Sequence, residues 1–181
     1  MEVFNELNIS KQWYALYTKP RHEVKAAIEM DACGIKYYLP MVTRVKQWSD
    51  RKKRVKEPLI RSYIFVRVSE QERVLALQLN SIIRCVSQRG IPAKIPENQM
   101  NNFIRFIQDG YEYHVLNSIT KGVKVRIISG PMIGVEGVVI EEPEHKSIAV
   151  SIELLNRTII TRIKDEQILE VITEKPIEDF E

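Results

Sequence analysis

The stretch SYIFVRVSEQE, residues 62–72, decides the fold class, because its period changes in the middle. From Tyr63 to Val68 the aliphatic residues Ile64, Val66 and Val68 alternate with Tyr63, Phe65 and Arg67. A period of two sends these sets to opposite faces of a strand. Ser69 then precedes Glu72 by the spacing of a capping box, which predicts a helix over about 70–79. A strand feeding directly into a helix points to a mixed α and β fold. The alternation leaves two outcomes open for Tyr63 and Phe65: coverage by a helix within the fold, or an exposed apolar patch for a partner.

Working outward, Trp13–Thr18 reads as a strand, and Pro20 opens a helix with Val24, Ala27 and Ile28 on one face and Gly34 closing it. Residues 36–48 read as extended chain, and Ser49-Asp50-Arg51-Lys52-Lys53 as a hairpin tip whose return ends at Pro58. A short strand near 82–87 follows, then Met100, Phe103, Ile104 and Ile107 on one helix face ended by Gly110. The order β-α-β-β-α-β-α over residues 11–110 describes an α+β sandwich. Residues 111–120 show no helical period and read as a linker. Beyond Lys121 the chain carries four of its seven glycines and short strands at close spacing. There Ile148, Val150, Ile152 and Leu154 alternate with Ser147, Ala149, Ser151 and Glu153, and Asn156 offers a turn into Thr158–Ile163. Five short strands across residues 121–173 suggest a small five-stranded β-barrel, followed by an acidic tail over 174–181.

Composition narrows the function classes. The 181 residues contain no uninterrupted apolar run long enough for a membrane helix. The first residues lack the basic and apolar regions of a signal peptide, so a cytoplasmic, soluble protein is expected. Cys33 and Cys85 stand far apart with only three histidines in the chain, which excludes a disulfide framework and the standard zinc modules. No nucleophile elbow, metalloprotease, phosphate-loop or dinucleotide motif occurs, so neither catalysis, a metal nor a cofactor is expected.

Charge is unevenly placed. Residues 11–68 hold 14 Lys/Arg against 5 Asp/Glu, whereas residues 120–181 hold 8 against 12. Such asymmetry suits a polyanion partner for the first part, or a solvated basic surface. The densest cluster, Arg44, Lys46, Arg51, Lys52, Lys53, Arg54 and Lys56 with Asp50 as its only acid, sits on the hairpin. Each cation there can neutralise a phosphate, and Trp48 can stack on a base. Lys19, Arg21, His22 and Lys25 form a second cluster around a helix N-terminus, where backbone N–H groups favour anions.

Three segments, WYALYTKPRHE (13–23), YYLPMVTRVKQWSDRKKRVKEPLIRSYIFVRV (37–68) and KVRIISGPMIGVEGVV (124–139), together resemble the NusG family of transcription elongation factors. The third resembles a KOW motif, with Gly130, Pro131, Gly134 and Gly137 in the pattern positions. The EPLIRSYIFVRV stretch and the long basic hairpin look more like the specialised paralogues, the RfaH-like and UpxY-like antiterminators of capsular polysaccharide operons, than the general factor.

The resemblance implies a NusG-type N-terminal domain that binds the clamp helices of the largest RNA polymerase subunit, and a C-terminal SH3-like KOW barrel. Bound there, such a factor suppresses pausing and termination. The polymerase-facing patch falls on Tyr17, Tyr63 and Phe65, which favours their exposure over their coverage. The non-template DNA strand falls against Lys19, Arg21, His22 and Lys25, with Arg51, Lys52, Lys53 and Arg54 holding DNA from the hairpin. The C-terminal domain would meet a small-subunit ribosomal protein or the termination factor Rho, and the factor would act as a monomer.

One departure from RfaH stands out: the helix matching its His-Thr-Thr contact toward the second-largest subunit reads Arg73-Val74-Leu75-Ala76-Leu77. RfaH can also fold its C-terminal domain as a helical hairpin over the polymerase site; here the alternation and the β-branched Thr158, Ile159 and Ile160 favour strands. The competing function class is a ribosome-associated or RNA-binding KOW accessory protein, which a steep and uniform salt dependence would distinguish.

Overall fold

A computed structural model describes residues 10–48, 51–108, 110–118, 120–142, 145–163 and 169–172. The backbone divides into two compact units, Met1–Met100 and Asn101–Glu181. The acidic tail and the hairpin tip at 49–50 lie outside the described residues.

The first unit runs β1 (Gln12–Thr18), α1 (Glu23–Ala32), β2 (Tyr37–Tyr38), β3 (Met41–Gln47), β4 (Lys52–Pro58), β5 (Tyr63–Val68) and α2 (Glu70–Ala76). It continues through β6 (Ile82–Cys85), β7 (Ser87–Gln88), β8 (Ile91–Pro92) and β9 (Lys94–Ile95) into α3 (Glu97–Phe106), within which the division between units falls. The main sheet has the order β2-β5-β1-β6, with β9 also pairing β1. Strand β1 lies in its interior and carries no charged residue, as a strand between two partners requires. Tyr14 and Leu16 of β1 join Ile64, Val66 and Val68 of β5, Ala26, Ala27 and Met30 of α1, and Ala76 of α2 in one buried cluster. The aliphatic half of the 62–72 pattern therefore faces this core.

Helix α1 departs from its apolar pattern. It buries Glu23, Ala26, Ala27 and Met30, while Val24 and Ile28 are 49% and 63% exposed. Small alanines form its inner face, and the buried Glu23 carboxylate accepts a hydrogen bond of 2.7 Å from the Ser62 backbone N–H.

Helix α2 begins as its sequence requires. Ser69 Oγ accepts from Glu72 N–H at 3.3 Å, and Glu72 Oε2 accepts from Ser69 N–H at 2.8 Å. Ser69→Ala removes one acceptor and leaves an orphan donor in the first turn. Thermal denaturation of that variant is expected to show a loss of about 1 kcal/mol; an unchanged midpoint would refute the cap. Behind the cap, Arg73 is buried, pairs with Glu70 and lies 5.9 Å from the Tyr14 ring centroid.

The second unit holds one sheet of β10 (Tyr113–Leu116), β11 (Val123–Ile127), β12 (Glu136–Glu142), β13 (His145–Ile152), β14 (Arg157–Arg162) and β15 (Leu169–Val171), in the order β10-β14-β13-β12-β11-β15. Strands β11 to β15 are the five expected after Lys121. Strand β10 comes from the segment read as a linker and pairs with β14; its four residues are too few to declare a period. Strand β13 is covered on both sides: Ser147 and Ala149 are buried along with Ile148, Val150 and Ile152. Asn156 makes the turn before β14 in the left-handed region, at φ 49°. The Asn102 side chain pairs both ways with the Glu136 backbone, donating to its carbonyl at 2.6 Å and accepting from its N–H at 2.7 Å.

Candidate functional site

Register brings together residues that sequence separates. Tyr17 is paired with Tyr63 on β5 and with Arg84 on β6, so the three stand in a row across adjacent strands. The Tyr17 and Tyr63 rings meet edge to face with centroids 5.3 Å apart, and the Arg84 guanidinium lies 5.7 Å from the Tyr17 ring centroid. Both tyrosines are half-buried and Arg84 is exposed. This is a surface with a quadrupolar face and a cation at one end, the composition that concentrates binding energy in protein interfaces.

Helix α1 holds both ends of this row. Its Glu23 receives Ser62 N–H at 2.7 Å, while Ser62 C=O accepts from Thr18 N–H at 2.9 Å. Its Glu29 receives both Ser81 N–H and Ser81 Oγ–H at 3.0 Å, while Ser81 C=O accepts from Lys19 N–H at 2.9 Å. Ser62 adopts φ 63°, a strained corner for a residue with a Cβ. Two carboxylates of one helix thus secure the chain immediately before β5 and before β6.

Phe65 does not belong to the exposed row. It lies on the same strand face as Tyr63 by the period of two, but its exposure is 0%. Its ring centroid is 6.4 Å from that of Tyr38, on the neighbouring strand β2. Phe65 lies mid-strand, paired with Ala15 of β1 and Tyr38 of β2, whereas Tyr63 stands at the strand's beginning. Arg84, which sequence reading missed, carries no motif of its own; only the shifted register of β6 against β1 brings it to Tyr17.

Lys19, Arg21 and Lys25 are exposed and His22 is half-buried. Pro20 lies in a turn rather than opening the helix, since His22 is the N-cap and α1 begins at Glu23, so only Lys25 is in the helix. His22 Nδ1 lies 3.0 Å from the Pro20 carbonyl, so this nitrogen carries the proton and Nε2 is the ring's remaining polar atom. Arg21 sits at φ 62°. The helix has no side-chain cap, and its first-turn acid Glu23 is turned inward to Ser62.

The hairpin of β3 and β4 is a two-stranded sheet of its own. Cross-strand pairs Lys46↔Lys53, Arg44↔Val55 and Val42↔Glu57 share one face; Gln47↔Lys52, Val45↔Arg54 and Thr43↔Lys56 share the other. On the first face Glu57 lies 2.5 Å from Lys46 Nζ and 3.3 Å from Arg44 Nε. The Lys46 hydrogen bond, opposed by burial and aided by the nearby cations, holds the Glu57 carboxyl below the usual carboxylate range. Lys53 Nζ sits 5.1 Å from the Trp48 ring centroid. The second face has no such compensation: among the described residues no carboxylate pairs with Lys52, Arg54 or Lys56. Arg51 stands at the tip, its backbone C=O accepting from Trp48 N–H at 2.8 Å.

In the second unit, Gly130, Pro131 and Gly134 lie in the turn between β11 and β12. Gly130 and Gly134 take φ of 82° and 81°, with Pro131 exposed between them. Gly134 N–H donates to Ile127 C=O at 2.7 Å, and Ile127 N–H to Val135 C=O at 2.9 Å. Gly137 lies in β12, where a Cβ would stand 2.7 Å from the Ala149 carbonyl oxygen. Among the described residues no group of three or more His, Cys, Asp or Glu could hold a metal ion, and no helix is long and apolar enough to cross a membrane.

Residues 11–104 match the family model for transcription termination factor NusG. Among solved structures the chain is similar to NusG of Thermotoga maritima, at 23% identity over 84% of this chain and 93% of that one, with a TM-score of 0.45. It is also similar to the MjSpt4:Spt5 complex in conformation A, at 12% identity over 90% and 99% of the two chains, with a TM-score of 0.31. No curated protein sequence matches it.

Proposed function

The chain belongs to the NusG family, and from that premise we propose that it is an elongation factor and antiterminator which binds the clamp helices of RNA polymerase. The observation that carries this reading is the row Tyr63–Tyr17–Arg84, a half-exposed aromatic pair with a cation at its end. Tyr17 and Tyr63 are the anchors, Arg84 adds a charge, and Phe65 is buried further along the same strand face, outside the contact. Bound at this row, the factor favours a closed, pause-resistant polymerase through binding free energy alone, with no bond made or broken by the chain.

In this reading Lys19, Arg21, His22 and Lys25 face the non-template strand, and the hairpin adds further contacts to nucleic acid. The second unit acts as a KOW, SH3-like barrel that recruits a small-subunit ribosomal protein or Rho. Its target genes include polysaccharide biosynthesis operons, and it works as a cytoplasmic monomer.

Binding of the purified full chain to core RNA polymerase at moderate salt tests the proposal. Tyr63→Ala removes a half-exposed ring, so it is expected to weaken binding by about 2 kcal/mol, roughly 30-fold, while leaving the fold intact. Wild-type affinity in Tyr63→Ala, with its folding verified by circular dichroism, would remove the row from the interface. Absence of polymerase binding by the wild-type chain would reject the proposal itself.

A further inference from the structure

The two faces of the β3–β4 hairpin carry the same density of cations but not the same available charge. On one face Glu57 is shared between Lys46 and Arg44, at 2.5 Å and 3.3 Å, and Arg61 stands 3.9 Å from it. Lys53 rests on Trp48. A polyanion approaching that face must compete with a carboxylate for Arg44 and Lys46. On the other face Lys52, Arg54 and Lys56 are exposed, recur at every second position of one strand and flank Val45, itself 61% exposed. Alternate side chains of a strand stand about 6.6 Å apart, close to the separation of successive phosphates along a nucleic-acid strand. Their cross-strand neighbours are Gln47, Val45 and Thr43, none of which carries charge.

We infer that the hairpin is one-sided: the phosphodiester backbone of DNA tracks the Lys52–Arg54–Lys56 face, and Glu57 silences the opposite face. This rests on the reading of the hairpin as a nucleic-acid contact and specifies which residues make it. It transfers the role away from Lys53 and Trp48 and gives Lys56 a part that the cluster 51–54 omits. Glu57 acts here as an internal counter-anion that gives the hairpin an orientation on its ligand.

The test compares two triple variants of the full chain with equal loss of charge: Lys52→Gln/Arg54→Gln/Lys56→Gln, and Arg44→Gln/Lys46→Gln/Lys53→Gln. Binding to a single-stranded and a duplex DNA oligonucleotide of equal length is measured across a salt series. The first triple is expected to reduce the slope of log K against log salt by about 2 on the single strand and by nearly 3, on the order of 0.9 per phosphate, on the duplex. The second is expected to change the slope by less than about 1. A third variant, Glu57→Gln, frees Arg44 and Lys46 and is expected to steepen the slope, a gain that misfolding cannot mimic. Equal losses in the two triples, or an unchanged slope in Glu57→Gln, would overturn the one-sided assignment. Failure of the wild-type chain to bind either oligonucleotide would overturn the parent reading, and this assignment with it.

Discussion

Phe65→Ala is expected to destabilise the first unit by about 3–5 kcal/mol, the cost of emptying a fully buried aromatic position. The ring has no exposed surface, and its strand β5 is paired on both sides, by β1 and by β2. Its cross-strand partner on β1 is Ala15, also fully buried and too small to refill the space. Tyr38 touches the ring from β2 but is anchored by its own pairing. Such a loss is a large part of the total stability of a small domain. Urea denaturation of the full chain reads it as a lowered midpoint. A shift equivalent to less than about 1 kcal/mol would mean that the ring is not packed as described. The contrast with Tyr63→Ala is informative, since that substitution lies on the same strand face but removes a half-exposed ring. Lost partner binding in Phe65→Ala would therefore report unfolding, whereas in Tyr63→Ala it reports the surface.

Gly137→Ala is the second large effect, and it falls in the other unit. The added Cβ would lie 2.7 Å from the Ala149 carbonyl oxygen and 2.8 Å from Ile148 Cγ1. The first of these is backbone in β13, the strand that β12 pairs with, so relief requires the pair to separate. Overpacking of this kind is expected to cost about 3 kcal/mol. Gly134→Ala has room, its nearest neighbour being Arg105 Nη1 at 3.5 Å, but must hold φ 81°; about 1–2 kcal/mol is expected there. Differential scanning calorimetry of the two variants checks the order. If Gly134→Ala proves the more damaging, the close approach of β12 and β13 is not what Gly137 serves. The two glycines of one short motif thus answer to different constraints, one to backbone angle and one to space.

Much of the architecture was legible because local signals and burial agree. The alternation Ile64-Val66-Val68, the capping box at Ser69 and Glu72, and the turn at Asn156 each have a physical cause confined to a few residues. Reading failed where the decisive fact is a neighbour distant in sequence. Val24 and Ile28 are apolar yet exposed, because the sheet accepts the flatter alanine face of α1 and Glu23 finds Ser62. Phe65 and Tyr63 are indistinguishable by period, and only tertiary packing makes one ring fully buried and leaves the other half-exposed. Arg84 became visible through register alone. The cations of the hairpin read as one cluster, since the identity of the face that Glu57 neutralises depends on strand pairing.

The tie from α1 to Ser62 and Ser81 has a thermodynamic consequence. Tyr17 and Tyr63 are packed against each other, and the corners that precede Tyr63 and Arg84 are bonded to Glu23 and Glu29. These rings have surrendered their rotamer freedom during folding, before any partner arrives. Immobilising a free side chain at an interface costs about 0.5–1.5 kcal/mol each, and that cost is largely absent here. A partner docking on the row would therefore meet a rigid surface with little ordering entropy to lose, whereas a ligand of the hairpin would have to immobilise its extended cations.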